Sequence, residues 1–66
     1  MVIKGSNSEN GRHFLILTNY TQEEISQVRD KWMHRLGVRL MIGPDNFTMI
    51  SFTDEADKNW FVLEWQ

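Results

Sequence analysis

The sequence predicts a small α+β domain with the element order β-α-β-β-α, and three observations carry that reading. One stretch has helical periodicity with a marked cap at each end, apolar runs flank it as strands, and a turn followed by a returning apolar run makes a hairpin. A strand, a helix and a strand with a hairpin partner open a ferredoxin-like or split βαβ arrangement, in which helices pack on one face of a small sheet. The fourth strand of that arrangement is missing from the pattern. One sheet face and at least one edge are therefore expected to lie uncovered, which favours pairing with another copy.

Residues 1–12 read as a flexible lead-in and residues 13–66 as the domain. Val2 and Ile3 make a short strand or a frayed start, and Gly5-Ser6-Asn7-Ser8-Glu9-Asn10-Gly11 is a run of turn formers and small polar residues. It has neither of the glycine-rich phosphate patterns and no helix after it, so a plain loop is the better reading. Phe14-Leu15-Ile16-Leu17-Thr18 is a continuous apolar run, as expected of a strand covered on both faces or at the centre of a small sheet.

The helix is expected over Thr21 to Leu36. Thr21 is a good N-cap and Glu24 completes a capping box. Glu23 and Glu24 lie near the positive end of the helix dipole, and Lys31, His34 and Arg35 near the negative end. Ile25, Val28, Trp32 and Leu36 recur at spacings of three and four, and Gly37 supplies the left-handed stop. Beyond it, Val38, Leu40 and Ile42 share one strand face, Pro44 sits in a type I or II turn within Gly43-Pro44-Asp45-Asn46, and Phe47 to Phe52 returns as the partner strand.

The last segment, Thr53 to Gln66, supports two readings. As a helix it has Thr53 or Asp54 as N-cap, acids in its first turn, and Ala56, Trp60 and Leu63 on one packing stripe. As a strand, Phe61, Leu63 and Trp65 alternate against Trp60, Val62 and Glu64. Capping chemistry favours the helix. Phe52-Thr53-Asp54-Glu55-Ala56-Asp57 followed by Trp60-Phe61-Val62-Leu63-Glu64-Trp65 resembles the C-terminal segment of small proteins encoded by tailed phages, especially marine cyanophages. In those proteins an acidic start leads to an aromatic pair and a closing Trp, often with a basic residue before it, where this chain has Glu64. The resemblance implies a phage origin, supports the helix, and brings no activity or cofactor with it; with Met1-Val2-Ile3-Lys4 too short for a signal-peptide core, the chain is expected in the cytoplasm, that of the host for a phage protein.

Composition narrows the function classes. A chain of 66 residues buries only about 60% of the surface its unfolded form exposes, and with no cysteine it has neither a disulfide nor a Cys-based zinc site to reinforce it. Association with a second copy, a dimer above all, is expected on that ground. Seven basic against nine acidic residues leave a formal charge of −2, a poor basis for non-specific duplex binding. No apolar run is long enough to span a bilayer, so no membrane role is expected.

The candidate site residues divide by chemistry. His13 and His34 belong to no nucleophile or metal motif, which points away from an enzyme. Asp54, Glu55 and Asp57 lack calcium-loop spacing and serve the helix dipole, so no metal is expected. Lys31, His34, Arg35 and Arg39, at the basic end of the helix and just beyond it, are the best contacts for RNA or single-stranded DNA; such recognition also needs aromatic platforms on the sheet, and Phe14, Phe47 and Phe52 lie on strands but in no RNP-type motif. Phe61 and Trp65, aromatics hard to bury in so small a chain, are the candidates for a protein interface. The leading expectation is a non-enzymatic, homo-oligomeric interaction module that meets a host or phage protein. A small nucleic-acid-binding regulator is the alternative.

Overall fold

The computed structural model describes all 66 residues. The elements are β1 (Val2–Glu9), β2 (Arg12–Thr18), α1 (Gln22–Trp32), β3 (Arg39–Ile42), β4 (Phe47–Phe52) and α2 (Glu55–Trp65). The strands form one antiparallel sheet in the order β1-β2-β4-β3, with both helices on one face. β2 and β3 each run antiparallel to β4, which lies between them, so β2, α1 and β3 make the expected split βαβ unit. The fourth strand of the ferredoxin-like layout is present after all. It is β1, which takes the edge beside β2 from the N-terminal side.

Residues 2–9, read from sequence as a mobile lead-in, are therefore a strand paired with β2 along its whole length, with a bulge between Ile3 and Gly5. The turn that creates it is Asn10-Gly11, both at positive φ (51° and 77°). Two consecutive left-handed residues match the twist of a tight hairpin, and Asn-Gly is the pair that adopts them most readily.

Alternation sets the core. Leu15 and Leu17 of β2 and Thr48, Ile50 and Phe52 of β4 point toward the helices and are buried. Ile25, Val28 and Trp32 meet them from α1, and Phe61 from α2. Trp32 meets Phe52 and Phe61 edge-on with ring centroids 5.4 and 5.6 Å apart, a geometry worth about 0.5–1.5 kcal/mol per pair beyond the area buried, and the Phe52 and Phe61 rings close the trio tilted to each other at 5.8 Å. The Tyr20 hydroxyl hydrogen-bonds that of Thr48, which gives two buried polar groups a partner. The Trp32 indole N–H is buried without a partner at hydrogen-bond geometry, although the Glu64 carboxylate lies close enough to be influenced by it.

The first helix begins as expected, with Thr21 and Glu24 forming a reciprocal capping box. It ends four residues early. Met33 is the C-cap, the chain leaves by short turns (Arg35 N–H to the Trp32 carbonyl, Val38 N–H to that of Arg35), and Leu36 is 98% exposed instead of packed. The chain must turn there so that Val38 enters the core and Arg39 pairs with Ser51. Gly37 makes the turn possible: its φ is +83°, and a Cβ there would collide with the Thr53 Oγ1. In the β3–β4 hairpin, Asp45 and Asn46 are both left-handed, so the reversal rests on them more than on Pro44. The last segment is a helix, capped by the Asp54 carboxylate accepting from the Ala56 N–H. No helix is long and apolar enough to cross a membrane.

Candidate interaction surfaces

The C-terminal helix carries two apolar stripes, and the one expected inside is outside. Phe61, with no exposed surface, packs against both Trp32 and Phe52 and fixes the rotation of α2. Val62 and Trp65 follow it onto the core, with the Trp65 ring 6.4 Å from that of Phe61. Ala56, Trp60 and Leu63, spaced i, i+4, i+7, then face solvent, with Trp60 62% and Leu63 75% exposed. This corrects the interface candidates. Phe61 is unavailable to any partner, Trp65 is half-buried against its own core, and Trp60 and Leu63 stand in their place.

The charges between the helices are already paired. Lys31 bridges to Glu64, and Arg35 to Asp57 at 2.7 Å while its guanidinium lies 5.3 Å from the centre of the Trp32 ring. Burial tends to raise the Glu64 carboxyl, but the Lys31 ammonium, helped by the Trp32 and Trp60 indole N–H groups, outweighs it and holds the group below its ordinary value. The four basic candidates thus do not form one patch. Lys31 and Arg35 are bound to acids of α2, His34 is exposed beyond the end of α1, and Arg39 lies on the far side of the sheet.

That far side is the second surface. Strand register places Phe14 and Ile16 of β2, Phe47 and Met49 of β4 and Met41 of β3 on the face with no helix over it, while Phe52 lies on the helix side and is buried. Met41 is 66% and Phe47 39% exposed. Arg12 crosses the same face and donates to the Ser51 hydroxyl (2.8 Å) and the Gly37 carbonyl (2.9 Å). The run Phe14 to Leu17 therefore belongs to a central strand whose two sides differ: one buried, one open.

A third grouping joins Ser8 to His13, hydroxyl to Nδ1 at 2.8 Å, with a Glu55 carboxylate oxygen 4.0 Å from Nε2. Cross-strand register puts Ser8 directly opposite His13, which sequence spacing alone did not reveal. None of the surface hollows opens onto either residue, so there is no concavity to hold a substrate against the hydroxyl. The acids of the α2 start are spoken for: Asp54 caps the helix and Asp57 pairs with Arg35, and no three potential ligands converge on a point where a metal would sit.

Comparison with family models, with curated proteins and with solved structures returns no match. The surfaces themselves carry the functional argument.

Proposed function

We propose that this chain is a non-enzymatic protein-interaction module acting as a homodimer, joined through the outward stripe of α2. The observation that carries the reading is that α2 is apolar on both sides: Phe61 and Trp65 serve the core, which leaves Trp60 and Leu63 largely in solvent. Trp60 keeps about 150 Å² of indole in water, taking roughly 250 Å² for a whole Trp. Leu63, and Leu36 beside the α1–α2 seam, add side chains worth about 1.5–3 kcal/mol each when fully buried.

The electrostatics suit a second copy. With Lys31–Glu64 and Arg35–Asp57 closed within each chain, the charges on the α1 side of the stripe are compensated, which removes that source of repulsion between two copies across a two-fold axis. Single anchors at i, i+4 and i+7 are also the pattern by which one helix lies on another. On the resemblance of its tail, the module is of phage type and works in the host cytoplasm, where the dimer would present itself to a host or phage protein. Nucleic acid held at the basic end of α1 finds no support in the geometry, because Lys31 and Arg35 are engaged.

Light scattering on the purified chain tests this. The expected mass is twice 7.9 kDa, falling to the single-chain value in Leu63→Asp with the circular dichroism unchanged. A wild-type chain that stays single up to about 100 µM, where a micromolar dimer is saturated, overturns the proposal. So does a dimer that neither Leu63→Asp nor Trp60→Ala weakens.

A further inference from the structure

On the open sheet face, away from α2, Gly5 and Asn7 of β1 leave a hollow of about 280 Å³ floored by Phe14, Ile16 and Met49 and edged by Glu9. It exists because β1 presents small or polar residues where β2 presents large apolar ones: Gly5 stands opposite Ile16 and Asn7 opposite Phe14. The space is at the lower limit for small-molecule sites, right for one planar ring system.

The polar groups around it are arranged asymmetrically. On the β1 side, the Asn7 Oδ1 accepts from the Ser8 N–H at 2.9 Å, which leaves the amide NH₂ with both hydrogens to donate. The Glu9 carboxylate enters no hydrogen bond or ion pair and is a free double acceptor. On the opposite side, Asn7, Phe14, Ser51 and Arg39 form one cross-strand row, so Arg39 lies about 10 Å from Phe14, two strand spacings away. Arg39 has no acidic partner. Arg12 lies over the same Ser51, held by its Nε and one Nη, with the other Nη spending neither of its hydrogens.

We infer that this face binds a guanine nucleotide unit, free or within a single strand, with the base stacked on Phe14 and its sugar-phosphate directed across Ser51 to Arg12 and Arg39. A guanine edge presents two adjacent N–H donors, which a carboxylate accepts together, beside a carbonyl that an amide NH₂ donates to; Glu9 and Asn7 supply that pair. Stacking on an aromatic on a central strand, with a cation set to one side, is the general means by which a sheet holds an unpaired base. The charges run the right way: acceptor toward the base edge, guanidinium groups toward the phosphate. This surface is separate from the α2 stripe, so the inference stands or falls independently of dimerisation.

Gly5→Val provides the test. A Cβ at Gly5 lies 3.9 Å from the Ile16 Cδ1, ordinary contact, and its backbone is not left-handed, so valine fills the hollow without strain. Fluorescence anisotropy with labelled UUGUU RNA, and titration of 5′-GMP followed by amide chemical shifts, separate the two sources of the ligand. Binding of either probe that weakens at least tenfold in Gly5→Val and at least fivefold in Arg39→Glu, with the salt dependence reduced in the latter, supports the site. GMP binding assigns the free nucleotide, and binding of the pentamer alone assigns the single strand. Saturable binding that Gly5→Val leaves intact, equal binding of UUAUU, shifts that appear only through self-association of the sheet face, or no binding of either probe at millimolar concentration overturns it.

Discussion

Replacing Phe61 by Ala and, separately, Trp60 by Ala tests the rotation of α2 on which both the core and the proposed interface depend. Phe61 is fully buried against Trp32 and Phe52, and truncating such a ring removes its transfer free energy and leaves a cavity, about 3–5 kcal/mol. A 66-residue domain has a total stability of roughly 3–10 kcal/mol at the usual 0.05–0.15 per residue. Phe61→Ala therefore takes away a third or more of the stability and, toward the low end, all of it. Trp60 is mostly in water, with roughly 100 Å² covered, so Trp60→Ala should cost the monomer about 1–2 kcal/mol at about 25 cal/mol/Å². Urea denaturation followed by circular dichroism reads both. With a slope near 1 kcal/mol/M for so small a chain, the midpoint falls by about 3–5 M or the protein is unfolded at the start for Phe61→Ala, and by only about 1–2 M for Trp60→Ala. Both are measured in a Leu63→Asp background, so that dimer dissociation does not enter the transition. A Phe61→Ala protein that keeps its midpoint while Trp60→Ala loses it would show that the helix packs through the other stripe and refute the argument.

Gly37→Ala should destabilise the fold by more than about 2 kcal/mol, because the new Cβ collides with Thr53 and a non-glycine residue at φ +83° adds a backbone cost of roughly 1–2 kcal/mol. Thr53→Ala in the same chain should recover only part of the lost midpoint, since the backbone cost remains. For Glu64, the folded group titrates below its unfolded value, so its contribution is fully present above the unfolded pKa of about 4.3 and is lost as pH falls through the lower folded value. Lys31→Met removes the cation that lowers it, and thermal melts between about pH 5 and 2 should then show a shallower acid loss than wild type. Equal slopes would mean that the Lys31–Glu64 bridge is not formed in solution.

The parts of this fold that could be read from sequence are those whose cause is local. The start of α1 was legible because Thr21 and Glu24 satisfy each other's backbone three residues apart. Its end was not, because Leu36 continues the apolar period and only the need to bury Val38 and pair Arg39 takes the chain out of the helix. In β1, Gly5 to Ser8 have little intrinsic strand preference, and pairing with β2 imposes the strand. The local signal is Asn10-Gly11, a hairpin pair that sits inside a run of turn formers and small polar residues and so does not stand out from it. The candidate surface was hidden for a different reason. With Ala56-Trp60-Leu63 and Phe61-Trp65 both apolar, periodicity says that α2 has faces but not which one meets the sheet, and the aromatic trio with Trp32 and Phe52 decides it.

The two surfaces sit on opposite sides of the molecule, and that placement has a consequence for assembly. Phe61 points from α2 toward the sheet, so Trp60 and Leu63 point away from it, while Phe14, Met41, Phe47 and Met49 look out from the other side of the sheet. A dimer formed through α2 buries the helical side of both copies and leaves both open sheet faces outward. Two weak single-strand sites held at a fixed separation act together, because the second contact is made at an effective concentration set by the scaffold. A strand long enough to reach both faces should bind wild type at least tenfold more tightly than two separate pentamer units, and Leu63→Asp should remove that gain while leaving pentamer affinity unchanged. Loss of pentamer affinity in Leu63→Asp would instead place the nucleotide contacts on the helical side, where Lys31 and Arg35 would have to leave Glu64 and Asp57 to reach it.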